Sequence, residues 1–238
     1  MNAGRANHVR RALAIAGVIA CMGISAAVAF GAHGDSRSSD FAPDHGKFKI
    51  MVNGVQAGEE SFDVSRDGDN WVAHGATTIQ SSGAATHVTG TLVLHPDGTP
   101  VRYAWSTQGA NKAGAVVTFD GSKAMIDLHV EGKRPYTQQF TFASPNVAIL
   151  DNNLYDQFGI LARLYDWQKG GAQTFPVLIP QELTPGSVTV SSVGPDAGGK
   201  NMRELQVKTA DLEVDLFLDG KKLMRIVSPT ANAEIDRE

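Results

Sequence analysis

Three histidines, His74, His87 and His129, fall in the middle of extended, alternating segments, and strands can bring such residues together as a metal or acid–base site. That would be the chemistry of a hydrolase with a strand-assembled histidine site. Their phase argues otherwise. His87 alternates in step with Thr89 and Thr91, and His129 with Asp127, so the imidazoles belong to polar faces and are expected to point into solvent with no metal bound. His95, just before Pro96-Asp97-Gly98, reads as a turn residue.

Three carboxylates, Asp151, Asp156 and Asp166, flank or punctuate one long apolar segment. General acid–base catalysis would need two of them held in unlike environments. A simpler assignment makes Asp151 a helix N-cap and places Asp156 and Asp166 on a solvated stripe. The chain has no Gly-x-Gly-x-x-Gly, no phosphate-binding loop ending in Lys-Ser/Thr, no His-Glu-x-x-His, no Gly-x-Ser-x-Gly and no Cys-x-x-Cys. No catalytic residue, metal or cofactor is therefore expected, although a site assembled from distant strands would leave no such motif.

The elements that would hold these residues are mostly strands. From Lys47 onward, short alternating runs recur about every 8 to 12 residues, the spacing of an all-β sheet or barrel. Arg66-Asp67-Gly68-Asp69, His95-Pro96-Asp97-Gly98, Asp120-Gly121, Glu131-Gly132 and Asp219-Gly220 lie between the runs, and Gly or Asp in such links accepts positive φ at little cost. Short links imply sequential antiparallel pairing. Ala124, Ile126, Leu128 and Val130 share one face against Met125, Asp127 and His129, and Leu212, Val214, Leu216 and Leu218 oppose Glu213 and Asp215. One sheet face is dry and the other wet.

The exception is the segment of about 151–169, closed by Gly170-Gly171, which reads as one long helix. At 100° per residue its apolar positions cover about two thirds of the circumference, against the roughly 100° stripe of a surface helix. Asp156, Arg163 and Asp166 make a narrow polar stripe, with Arg163 and Asp166 spaced to pair across one turn. Such a helix has to be wrapped, and a strongly twisted, curled sheet can do so. The expected fold is mainly β, a curved antiparallel meander forming an incomplete or half barrel that encloses the helix, in one domain over 47–238. Its candidate ligand-facing residues are Tyr155, Phe158, Leu161 and Tyr165, with core packing the competing role for the aromatics.

The N-terminus carries an address. Arg5, Arg10 and Arg11 precede an uncharged run from Ala12 to Ala32, the pattern of a positive n-region and an apolar h-region. Residues 1–32 are expected to be a signal peptide, or an uncleaved anchor, since about 20 apolar residues can span a bilayer; 33–46 is expected to be a flexible linker. The single cysteine, Cys21, follows Val18-Ile19-Ala20 as in a lipobox, but the apolar run continues to Phe30, which weighs against lipidation. One cysteine also rules out an intramolecular disulfide. The formal charge of −4, with no basic cluster beyond the extreme N-terminus, argues against a nucleic-acid partner.

The run Leu150-Asp151-Asn152-Asn153, the helix, the segment Gln173 to Gln181, and Leu216 to Ile226 followed by Pro229 resemble a group of uncharacterised exported bacterial β-rich proteins. At the level of architecture, a curled antiparallel sheet holding a helix resembles the periplasmic lipoprotein carriers of the LolA/LolB type, in which an incomplete barrel forms an apolar cavity. That resemblance implies binding of an apolar or lipid-like ligand in the concave sheet, in the periplasm or cell envelope. The second expectation is an envelope scaffold or assembly factor that recruits a protein partner through a sheet edge.

Overall fold

The computed structural model describes residues 41–81, 84–109, 112–194, 202–209 and 212–238. The signal segment, Cys21 and the first part of the expected linker lie outside these residues. Fifteen strands form one sheet: β1 (Asp44–Val52), β2 (Val55–Asp67), β3 (Asn70–Ser81), β4 (Ala84–Leu94), β5 (Pro100–Gln108), β6 (Ala113–Asp120), β7 (Lys123–Val130), β8 (Tyr136–Thr141), β9 (Ala148–Ile149), β10 (Ala172–Ile179), β11 (Thr184–Val193), β12 (Arg203–Lys208), β13 (Glu213–Asp219), β14 (Lys222–Ser228) and β15 (Ala233–Arg237). A helix, α1 (Asp156–Leu164), and a short 3₁₀ turn, Pro180–Glu182, complete the described elements. The sheet is open and curved, as the sequence predicts.

Strand order follows from the short links. From β8 down to β1 each strand pairs with its sequence neighbour, and β15 down to β10 do the same. Two features break this local rule. β1 pairs antiparallel with β15, joining the first and last strands, and β9 runs parallel to β10. The turn glycines Gly68, Gly121, Gly132 and Gly220 all have positive φ, between 58° and 73°. Register shifts in the β1–β2, β4–β5 and β13–β14 pairs add local twist of the kind a bulge imposes.

Alternation sorts the side chains as expected. In β2, Gly58, Glu60, Phe62 and Val64 face inward and Glu59, Ser61 and Asp63 outward. The inner face forms one core with α1 and the segment Val147–Leu150. All nine residues of α1 are buried, which accounts for the wide apolar arc.

The helix is shorter than the expected 151–169, for local reasons. Asp151 does not cap it: its Oδ1 accepts from the backbone N–H of Asn152 at 3.1 Å and of Gln181 at 2.9 Å, which fixes a turn before the helix. At the other end Asp166 accepts from the N–H groups of Gln168 and Lys169, both at 3.0 Å. A side chain that bonds the backbone ahead of it offers that backbone an alternative to the helix. Tyr165 accordingly leaves α1 in an extended conformation, and Gly170 and Gly171, both with positive φ, close the following loop instead of the helix.

The segment expected to be a linker is already structured at its end. Phe41 is buried, with its ring centroid 6.0 Å from that of Trp71, and β1 starts at Asp44. Asp44 is buried as well. Its carboxylate takes Arg163 Nη2 at 2.9 Å and Arg237 Nη2 at 2.7 Å, so Arg163 pairs with β1 and not with Asp166.

Two facing glycines let the chain enter the core beside α1. Gly75 on β3 lies opposite Gly90 on β4, and both point inward. A Cβ at Gly90 would stand 2.6 Å from Leu154 Cδ1, and one at Gly75 2.6 Å from Asp156 Oδ1. Gly90→Ala is expected to cost about 1–3 kcal/mol, the range for overpacking a filled core. Gly159→Ala, inside α1, would meet nothing closer than 3.7 Å and is expected to stabilise by about 0.5–1 kcal/mol through helix propensity. Urea denaturation of the two variants checks both signs.

Candidate functional site

The four residues predicted to face a ligand are all in the core. Tyr155, Phe158, Leu161 and Tyr165 are buried among neighbouring side chains. Tyr165 OH donates to the Gly171 carbonyl at 2.8 Å, and its ring meets that of Trp167 edge-on, centroids 5.0 Å apart. Among the described residues, surface grooves of 160, 230, 460 and 550 Å³ are lined by strand and loop residues and by none of these four.

The histidines stand on the outer face and stay apart. His74 Nδ1 is hydrogen-bonded to Thr91 Oγ1 at 2.9 Å and His87 Nδ1 to Thr78 Oγ1 at 3.0 Å, each across a strand pair. His129 lies on β7 beside a different groove. Among the described residues no group of three His, Cys, Asp or Glu is placed to hold a metal ion.

The carboxylates give the larger surprise, because Asp156 of the expected solvated stripe is buried, while Asp166 is half-buried. Asp156 opens α1 directly against Glu60 of β2, and the two carboxyls are 6% and 1% exposed. Glu60 Oε2 accepts from Tyr155 N–H at 2.9 Å and Oε1 from Asp156 N–H at 3.3 Å. The helix start, which has no side-chain cap of its own, is therefore capped by a residue 95 positions earlier in the chain, and the carboxylate also meets the positive end of the helix dipole. Burial, then the neighbouring Asp156, pushes Glu60 well above the usual carboxylate range; burial likewise raises Asp156. Two carboxyls this close and this buried both resist ionisation.

A second polar cluster sits beside it. Tyr103 OH donates to Asp151 Oδ2 at 2.9 Å, and Gln157 Nε2 donates to Tyr103 OH at 3.1 Å. The Gln157 amide oxygen in turn accepts from Asp151 N–H. Burial pushes Asp151 up to about 7, against the pull of its three donors. Acid–base chemistry requires a reactant within reach, and these carboxyls are shut off from solvent. Glu60 and Asp151 satisfy backbone N–H groups of a helix end and a turn inside an apolar core, while Asp156 Oδ1 has no hydrogen-bond partner.

Glu60, Tyr103, Asp44 and Arg237 were not singled out by sequence. For Glu60 a signal existed: it occupies an inward phase between Gly58 and Phe62, where an acid must have a partner.

The accessible polar backbone is at the sheet's ends. One end is β9, two residues long and buried. The other is β8, six residues with the sequence Tyr-Thr-Gln-Gln-Phe-Thr. β8 pairs with β7 in unbroken register and, among the described residues, with no strand on its other side. Tyr136 is 47% exposed, and Met125 on the adjacent β7 37%. Natural edges are guarded by charge, proline, bulges or a covering element. β8 has no charge, no proline and no bulge.

No family model matches the chain, and no curated protein matches it. Among solved structures, a β-barrel-like protein of domain of unknown function DUF1849 from Brucella abortus superposes with a TM-score of 0.55 at 8% identity, covering 85% of this chain and 96% of that one. A DUF1089 family protein from Pseudomonas aeruginosa gives a TM-score of 0.44 at 11% identity, over 69% of this chain and 86% of that one. The first likeness is one of fold alone: the open, curved sheet of this chain superposes on that of a β-barrel-like protein.

Proposed function

We propose that this is an exported cell-envelope assembly protein that takes an extended segment of a protein partner as an added strand on β8. The observation that carries the reading is the edge itself, six uncharged residues in regular register with one side unpaired among the described residues. Main-chain hydrogen bonds supply the affinity in such strand addition, and alternate side chains the specificity. Export rests on the basic n-region and the apolar run to Ala32.

An apolar ligand in the concave face is the weaker reading, since α1 already fills that face. Releasing α1 would expose at least Phe158, Ile160, Leu161 and Leu164. At about 1.5–3 kcal/mol each, the cost is at least ~6 kcal/mol, comparable to the whole stability of a typical domain.

A photo-crosslinking residue placed at Thr137, exposed on β8, tests the proposal in cells. The expected product is a protein adduct that maps to a single extended segment and is absent when the probe stands at Thr118, exposed on β6 away from the edge. No adduct from Thr137, together with acyl species extracted from the purified protein, would overturn it in favour of a lipid-binding role.

A further inference from the structure

The residues of β8 restrict what can lie beside it. Through its register with β7, β8 places Tyr136, Gln138 and Phe140 on the inner face, opposite Leu128, Ile126 and Ala124. Thr137, Gln139 and Thr141 are on the outer face. Phe140 is already buried, but Tyr136 at the start of the strand is half exposed, with its hydroxyl donating to Gln138 Oε1 at 3.0 Å. An added strand has to cover that ring without bringing a charge against a neutral edge.

We infer that the partner strand is β8 of a second copy of this chain, paired antiparallel about a two-fold axis through Gln138. The inference rests on the strand-addition reading above and names its partner. On such an axis residues whose numbers sum to 276 face one another, so inner-face residues meet inner-face residues. Tyr136 lies opposite Phe140 of the second copy, and Gln138 opposite its own counterpart. Aromatic pairs directly across an antiparallel ladder are favourable, and two carboxamides can exchange hydrogen bonds because each is both donor and acceptor. An axis through Gln139 also preserves the faces but sets Phe140 against Gln138 and leaves Tyr136 beyond the seam. The self-pairing is isologous, as a two-fold dimer requires, and no like charges oppose each other because the strand carries none. A six-residue seam is at the small end of specific interfaces, so the dimer fraction should rise with protein concentration.

Native mass spectrometry and sedimentation on the protein as purified from its host, over a range of concentrations, are expected to show a monomer–dimer equilibrium. With Cys21 replaced by serine, Gln138→Cys is expected to oxidise to a covalent dimer. Residues directly opposite in antiparallel strands stand about 4.5–5.5 Å apart at Cα, within disulfide range. Gln139→Cys, whose opposite is Thr137, should not cross-link. Gln138→Lys puts two ammonium groups face to face and should abolish the dimer while leaving the melting temperature unchanged at dilutions where the native sequence is itself monomeric, which separates loss of pairing from loss of folding. A monomer at all concentrations with no cross-link from Gln138→Cys overturns the inference. If the probe at Thr137 then still captures another protein, self-pairing alone fails; if it captures nothing, strand addition at β8 fails with it.

Discussion

Replacing Asp44 by alanine is expected to destabilise the protein by about 3–5 kcal/mol, the largest effect of any single substitution considered. The carboxylate and both guanidinium partners are almost fully buried, with side-chain exposures of 4% for Asp44, 4% for Arg163 and 9% for Arg237. Removing one member of a buried ionic cluster leaves the remaining charge uncompensated in a poorly polarisable interior, which is the source of the magnitude. An exposed ion pair such as Lys112–Glu131 is worth at most about 1 kcal/mol and would not be missed. The effect is also topological. Asp44 belongs to β1, Arg163 to α1 and Arg237 to β15, so one carboxylate holds the helix to the seam where the first and last strands meet. Arg237 adds a hydrogen bond to the His45 carbonyl at 2.6 Å and stacks over Phe62 at 5.1 Å. Equilibrium urea unfolding of Asp44→Ala measures the loss directly. A change below about 1 kcal/mol would mean that the cluster is screened like a surface pair and that apolar contacts alone dock the helix.

The second large effect is a loss of stability as pH rises from about 4 to above 7. Asp151 is raised from its ordinary 3.8 to about 7 by burial. A group with a folded pKa above its unfolded one keeps its proton longer in the native state. Its contribution is complete below the unfolded pKa and disappears as pH climbs through the folded value. A shift of this size corresponds to about 4 kcal/mol at 1.36 kcal/mol per unit. Glu60 and Asp156, raised in the same direction, add to the slope.

On the acid side the sign reverses. For Asp44 burial works upward, but the hydrogen bond and charge of Arg237, with those of Arg163, hold its pKa below 3.8, so its stabilisation is present above that value and is lost as pH falls through the lowered one. The expected profile is a maximum in mildly acidic solution with limbs falling on both sides. Thermal melts from pH 3 to pH 9 trace it, and Asp151→Asn should flatten the alkaline limb. A melting temperature that climbs steadily from pH 5 to pH 8 in the native sequence would show that the donors around Asp151 prevail over its burial.

Much of the fold could be read from the chain because its information is local. Two-residue periodicity gives strands, Asp-Gly and related links give hairpins, and short hairpins leave little choice but sequential antiparallel order. The wide apolar arc around Phe158, Leu161 and Leu164 likewise implied a helix surrounded by sheet, and α1 is buried at every residue. Neutral residues at each position of Tyr136–Thr141 were also visible, but not that this strand ends the sheet of the described residues, since edge position depends on how distant strands pair.

What only the tertiary structure decided are the contacts between residues distant in sequence. Asp156 looks solvated while α1 is considered alone, because the acid that faces it, Glu60, comes from β2; Arg163 looks suited to Asp166, because Asp44 and Arg237 join it only when β1 pairs with β15. Asp151 has the residue type of a helix cap but bonds a turn instead, and Glu60 serves the helix from another strand. The physical reason is common to these cases. Local propensities are set within a turn or two of chain, at fractions of a kcal/mol to about 1 kcal/mol each, whereas an unpaired polar group or charge in the core costs several times as much. Where the two disagreed, the demand for a buried partner determined the arrangement.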